Sequence, residues 1–191
     1  MITLTRITEP DKLEEYYRLR YRIFSDSDYH SLVDHTKGQF DRDEFDDKAL
    51  HWGWYSGQEL IATERFLPVR EPADSYCLSV IKDPKERAPL LKHIMDRAER
   101  SSGMAESSRI GIRQDHRSLT NFMGLVRAII RQAHACGFDE GWFICLASHV
   151  PFYRRAGFHV LPGTESITSC TAHRTSIVTF ESSNFSDLIG V

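Results

Sequence analysis

The chain has 191 residues, 24 Lys and Arg against 27 Asp and Glu, and a formal net charge of −3. That length suits one domain with a real core, and the charge balance offers no basic face for DNA or RNA. No apolar run reaches the roughly 18 residues that would cross a bilayer, and the opening MITLTRITEPDKLEE has no basic segment leading into an apolar one. A cytoplasmic protein with reduced thiols at Cys77, Cys136, Cys145 and Cys170 is expected, since none of the four forms a CxxC pair.

In chain order, residues 2–8 alternate and stop before Pro10, as a first strand would. Helix formers follow from Asp11 to about Phe24, with Leu13, Tyr16, Tyr17 and Leu19 giving an apolar side. Residues 25–47 are polar and acidic and read as a long loop, a kind of segment that is often functional. Two alternating runs, His51–Tyr55 and Leu60–Leu67, flank Ser56-Gly57-Gln58 and predict a hairpin. Residues 76–81 read as a further strand. Pro89 is expected to break any helix begun at Pro84, which leaves a helix over 89–100.

A strand is expected over 106–113. The clearest helix spans 118–136, where Leu119, Phe122, Val126, Ile129, Ile130 and Ala133 recur at helical spacing and Gly137 stands at the C-terminal cap. A short strand over 142–147, a short helix over 150–156, and strands beginning at Phe158 and at Arg174 complete the pattern. The last ten residues, 182–191, are polar and expected to fray. The alternation indicates one α/β domain over 1–191 with a mixed sheet.

The nine histidines show no ligand pair at helical spacing, so no metal site is expected, and neither a GxSxG nor a Walker pattern is present.

The run from Glu106 to Phe158 (ESSRIGIR, QDHRS, a long helix, WFICLA, PFYRRAGF) resembles the second half of the GNAT acyltransferase fold. The resemblance implies a three-layer α-β-α fold. Its mixed, mostly antiparallel central sheet would splay at a V-shaped cleft that holds a pantetheine arm, with a helix N-terminus facing the phosphate. Thr120 and Phe122 stand where acetyl-CoA enzymes of this fold place glycines. They obstruct a pyrophosphate and favour acyl-carrier protein over CoA as donor.

LRYRIFSD, DRDEFDD, ERFLP and MAESSRIGI are similar, in order and spacing, to the motifs of acyl-homoserine-lactone (autoinducer) synthases. That resemblance implies acyl transfer from acyl-carrier protein to the amine of S-adenosylmethionine, then lactone closure with release of methylthioadenosine. Both molecules are substrates, and no separate cofactor is implied. It also implies catalytic roles for Asp43, Asp46, Arg65, Glu106 and Arg109. Glu106 would be the base acting through water, and a backbone N–H of Arg109 or Ile110 the oxyanion donor. Arg20, Phe24, Tyr29, Ser108, Cys145, Ser148 and Tyr153 would contact substrate. Tyr29-His30 replaces the family's usual Trp, and the C-terminal acyl-pocket region is shorter.

On a regular strand Arg109 points away from Glu106, so a shared site requires a β-bulge. Each residue also has a plainer reading. Asp43 and Asp46 would suit a solvated acidic loop, Arg65 or the Glu106/Arg109 pair a structural ion pair, Arg20 a helix terminus, and Phe24 and Tyr153 the core. Cys145 would simply pack, and Ser148 would cap a helix. Two functional alternatives share these residues: an N-acyl amino acid synthase of the same fold, and a non-catalytic protein that binds acyl chains or acyl-carrier protein.

Overall fold

A computed structural model describes residues 2–98, 103–169, 171 and 173–185. The elements are β1 (Ile2–Ile7), α1 (Pro10–Ser25), β2 (Leu50–Ser56), β3 (Glu59–Val69), α2 (Tyr76–Val80), α3 (Pro84–Ala98) and β4 (Met104–Ile112), then α4 (Leu119–Ala135), β5 (Glu140–Leu146), α5 (Val150–Arg155), β6 (His159–Val160), β7 (Ile167–Thr168) and β8 (Arg174–Glu181). The sheet runs β1-β2-β3-β4-β5-β8-β6, with β7 also on the outer side of β8. Every pairing is antiparallel except that of β4 with β5.

Residue alternation sends the two sheet faces to different layers. Trp142 and Ile177 pack with α2 and α3, while their neighbours Phe143 and Val178 pack with α4 and α5. Helix α1 covers the same face as α2 and α3, burying Tyr16, Leu19 and Ile23 with Ile7 and Leu60. Helix α4 has the strongest apolar stripe, with Ser118 accepting the Asn121 N–H at its start. The result is the three-layer α-β-α architecture expected from the sequence.

Three expectations fail locally. Residues 76–80 are helical, because Ser75 caps the Leu78 N–H and the Cys77 N–H is held by the Glu106 carboxylate. Glu106 sits on β4, and without it the apolar run read as a strand despite the local Ser75 cap. Helix α3 begins at Pro84 and continues through Pro89, which forfeits one hydrogen bond without stopping the helix. Pro89 packs against the Gly163 turn. The tail is not frayed from residue 182: Ser182–Phe185 forms a short turn that buries Phe185 against Phe158, and residues 186–191 lie outside the described residues, as does Cys170.

Strands β4 and β5 are paired only from Met104 to Glu106 against Glu140 to Trp142. Gly141 permits this contact: a Cβ there would lie 2.6 Å from the Ala105 carbonyl oxygen. Beyond it the strands part, and the remaining edge of β4 faces a gap.

Candidate active site between the splayed strands

That gap is a cavity of about 900 Å³. Ser107 to Ile112 of β4 and Phe143 to Leu146 of β5 form its two sides. Phe122 and Leu125 of α4 and Phe152 and Tyr153 of α5 close one face; Ile23, Phe24 and Tyr76 close the other. Its mouth carries Asp26, Asp28, Tyr29, Arg117 and His149.

The bulge that lets Arg109 share the face of Glu106 is present. Arg65 pairs with Ser108 but Thr63 with Gly111, so β4 carries one extra residue there. Arg109 takes φ 53°, the left-handed region, and is the one non-glycine residue among those described that does. The extra residue turns Arg109 to the face of Glu106 and Ser108, beneath α1.

Arginines and aspartates converge on that face. Arg20 donates to Asp41 (3.0 Å) and in a fork to Asp46 (2.6 and 3.2 Å). Arg65 donates to Asp43 (2.6 Å) and to the Ser108 hydroxyl (2.9 Å), and lies 3.2 Å from Asp46. Arg109 donates to Asp41 (3.0 Å), Asp43 (3.4 Å), the Tyr76 hydroxyl and the Leu32 carbonyl. Three positive and three negative side chains thus neutralise one another where hydration is lost. The nearby guanidinium groups hold the Asp41 and Asp46 carboxyls below the usual range even though burial pushes them up. The acidic loop is a buried ion-pair network, not a solvated run. Only Asp43 keeps appreciable exposure, at 18 % of its side chain.

Of the residues expected at the site, Phe24, Tyr29, Ser108, Arg109, Cys145 and Tyr153 line the cavity. Arg20, Asp43, Asp46 and Arg65 do not; they stand behind it and reach it through Ser108 and Arg109. Tyr29 spans the gap, its hydroxyl accepting the Leu146 N–H of β5 (3.0 Å). Burial pushes the Cys145 thiol up to about 12 and the Tyr153 hydroxyl well above its usual range, so both are neutral near pH 7. Ser148 is exposed in the turn Ala147–His149, lies outside the cavity wall and caps no helix; its neighbour His149 lines the mouth instead.

Glu106 is fully buried and does not line the cavity. Its carboxylate accepts from the Ser75 hydroxyl (2.6 Å), the Cys77 N–H (2.9 Å) and the Trp142 indole (3.2 Å). Burial raises its pKa, and these donors oppose the rise. No ion pair joins Glu106 to Arg109 among the described residues. They are linked through α2, whose start Glu106 anchors and whose Tyr76 holds Arg109.

Several participants went unread in the sequence. Asp41 lies in the same DRDEFDD string and bridges Arg20 to Arg109. Tyr76 lies under both Arg65 and Arg109, at 5.2 and 5.0 Å from its ring centre. His51 meets Tyr17 (3.2 Å) and the Asp46 carbonyl (3.1 Å), and burial holds it down to about 4, so it is neutral. Only structure places these, since each gains its role from a partner distant in sequence.

With this geometry in hand, the comparisons with known proteins become specific. The family model described as N-acyl amino acid synthase FeeM matches residues 15–175. The chain belongs to that family. Among solved structures, a CoA-dependent acyl-homoserine lactone synthase, BjaI, seen with S-adenosylmethionine and isopentyl-CoA, superposes with TM-score 0.70 at 20% identity, covering 100% of this chain and 90% of that one. The acyl-homoserine-lactone synthase LasI gives 0.70 at 17%, covering 100% and 94%. FeeM from uncultured soil microbes gives 0.65 at 12%, covering 98% and 94%. At these identities the superpositions establish the fold, shared also with a structure described as an N-acetyltransferase from Lactobacillus plantarum, at TM-score 0.60 and 15% identity. No curated protein matches the chain significantly in sequence. The family match makes the chain an acyltransferase of the FeeM type, on a fold that acyl-homoserine-lactone synthases share. Among the described residues no helix is long and apolar enough to cross a membrane, and no group of His, Cys, Asp or Glu is arranged to hold a metal ion.

Proposed function

We propose that this protein moves a fatty acyl group from the phosphopantetheine thioester of acyl-carrier protein to the α-amine of an amino acid, and releases the open N-acyl amino acid. The observation that carries this reading is the charge presented to the cavity. All three aspartates of the buried network are held by arginines, and the network's face on the cavity is Arg109. A guanidinium at the cavity wall can hold the carboxylate of an amino-acid acceptor. The family match over residues 15–175 supports the same choice.

The thioester arm would enter along β4 beyond Glu106, where the strand is unpaired on its β5 side and its backbone can pair with the pantetheine amides. The acyl chain would rest among Phe122, Phe143 and Phe152. A single external phosphate at the start of α4 needs no close glycine loop, which Thr120 and Phe122 would block, so acyl-carrier protein is favoured over CoA. The amine attacks the carbonyl carbon, and a backbone N–H of Arg109 or Ile110 on the open stretch of β4 steadies the oxyanion. Because Glu106 is enclosed, its role is to fix α2, Tyr76 and through them Arg109; it is a positioning residue.

A second reading keeps the fold and changes the acceptor to S-adenosylmethionine, with lactone closure and release of methylthioadenosine. It is favoured by the synthase motif residues Arg20, Phe24, Asp43, Asp46, Arg65, Glu106 and Arg109 standing in register, and by Asp26 and Asp28 at the mouth, which would meet a cation. The test is product analysis. Purified protein is given octanoyl-carrier protein or octanoyl-CoA with either S-adenosylmethionine or a panel of amino acids, and mass spectrometry reads the product. An open acyl amino acid is expected; a lactone would install the second reading. Absence of thiol release with every acceptor would leave only a binding role.

A further inference from the structure

On the α4 face of the sheet, opposite the arginines, a second buried acid stands against the cavity wall. Glu64 of β3 is fully buried. Its Oε1 accepts a 2.6 Å hydrogen bond from the hydroxyl of Ser107, and its Oε2 has no partner. Ser107 of β4 is a wall residue of the cavity, as is Tyr153 of α5. A carboxyl group in an apolar core with one empty oxygen is a costly feature. Phe66 and Ala62, on the same face of the strand, are apolar and supply it no partner.

We infer that Glu64 and Ser107 form a proton relay to the cavity, which supplies the proton that the departing pantetheine sulfur must take up. This rests on the acyl-transfer reading above. In that reaction the amine nitrogen bonds to the thioester carbon, the carbon–sulfur bond breaks with its electron pair going to sulfur, and the nitrogen sheds one proton. For this step the 2.6 Å hydrogen bond reverses: the Ser107 hydroxyl turns its proton to the sulfur while the Glu64 acid proton passes to the Ser107 oxygen. The proton shed by nitrogen then restores Glu64 by the same path. Protons and electrons balance over the cycle, and no other reactant is needed.

Burial favours the neutral acid, and Glu64 is pushed up to about 8, so it holds a proton to give near neutral pH. Its titratable neighbour is Tyr153 of α5, itself neutral in this range. The adjacent Arg65 projects from the other face of the strand to Asp43 and Ser108. Tyr16 of α1 touches only the Glu64 backbone carbonyl.

The test varies the leaving thiol. Glu64→Gln and Ser107→Ala are each assayed with octanoyl-pantetheine, an alkyl thioester, and with S-phenyl thiooctanoate, whose aryl thiolate leaves without a proton. Loss of about 100-fold in kcat on the alkyl ester is expected, with less than about fivefold loss on the aryl ester. The wild-type rate should fall as pH rises through about 8, and Glu64→Gln should lack that limb. Equal losses on both esters would overturn the relay and leave a packing role. The same overturning follows if Tyr153→Phe, and not Glu64→Gln, shows the dependence on the thiol. If Glu64→Gln fails to fold, Ser107→Ala decides the matter alone. Failure of the wild type to acylate any amine would instead count against the function proposed above.

Discussion

Glu64 also makes a quantitative prediction about stability. Its carboxyl keeps a proton up to about pH 8 in the folded chain, whereas in the unfolded chain it ionises near its ordinary 4.5. Between those values the folded state binds one more proton than the unfolded state, so stability falls as pH rises. Each pH unit is worth about 1.4 kcal/mol, which makes about 5 kcal/mol over the whole interval. The sense is opposite to that of a salt-bridged aspartate: the native state is favoured below pH 4.5 and loses this advantage up to pH 8. The perturbation is Glu64→Gln, which keeps the shape and the Ser107 contact but cannot ionise. Urea unfolding of wild type and variant at half-unit steps from pH 4.5 to 9 isolates the effect, because other groups, including His51, titrate alike in both. The variant should gain on the wild type steadily from acid pH and level off near pH 8. A difference in stability that stays flat with pH would refute the burial argument for Glu64.

Arg20→Met should cost about 3–5 kcal/mol, since it leaves Asp41 and Asp46 buried with fewer partners. The deficit should narrow in acid below pH 3.8, where the unfolded chain's aspartates take up protons that the arginines deny the folded wild type, so the wild type loses the advantage of its ion pairs. Thermal unfolding at pH 7 and pH 3 measures both. Gly141→Ala should lower Tm by several degrees, because its Cβ would strike the Ala105 carbonyl at 2.6 Å and the Phe180 ring at 2.5 Å. Calorimetry reads that loss. Tyr29→Phe removes the acceptor of the Leu146 N–H at the cavity mouth. Stability should change by no more than about 1 kcal/mol, while KM for the acyl donor should rise several-fold in steady-state assays.

How far the sequence reaches is shown by particular elements. Helix α4 and the β2–β3 hairpin were readable because their signals are local: an apolar stripe with a Ser cap, and two alternating runs about a glycine turn. The bulge at Arg109 could be named only as a condition, the one under which Arg109 and Glu106 would share a face; without it Arg109 would act elsewhere. Helix α2 was misread because its start is held by Glu106, 29 residues away along the chain and adjacent only after β4 forms. The cavity-lining set was partly legible. Phe24, Tyr29, Ser108, Arg109, Cys145 and Tyr153 were named from motif register and do meet the gap, whereas Ser148 turned outward and Glu106 inward.

What the amino-acid order determined by itself was the alternation of strands and helices, the family motifs and the choice of charged residues. Whether those charges face a substrate or one another was decided by tertiary structure alone. Arg20, Arg65 and Arg109 pair with Asp41, Asp43 and Asp46 because folding removes water from all six, and a charge without water takes the nearest opposite charge. Glu64 has no such neighbour on its side of the sheet, and its isolation, invisible in the string ERFLP, follows only from the sheet placing it with Ser107 at the cavity wall.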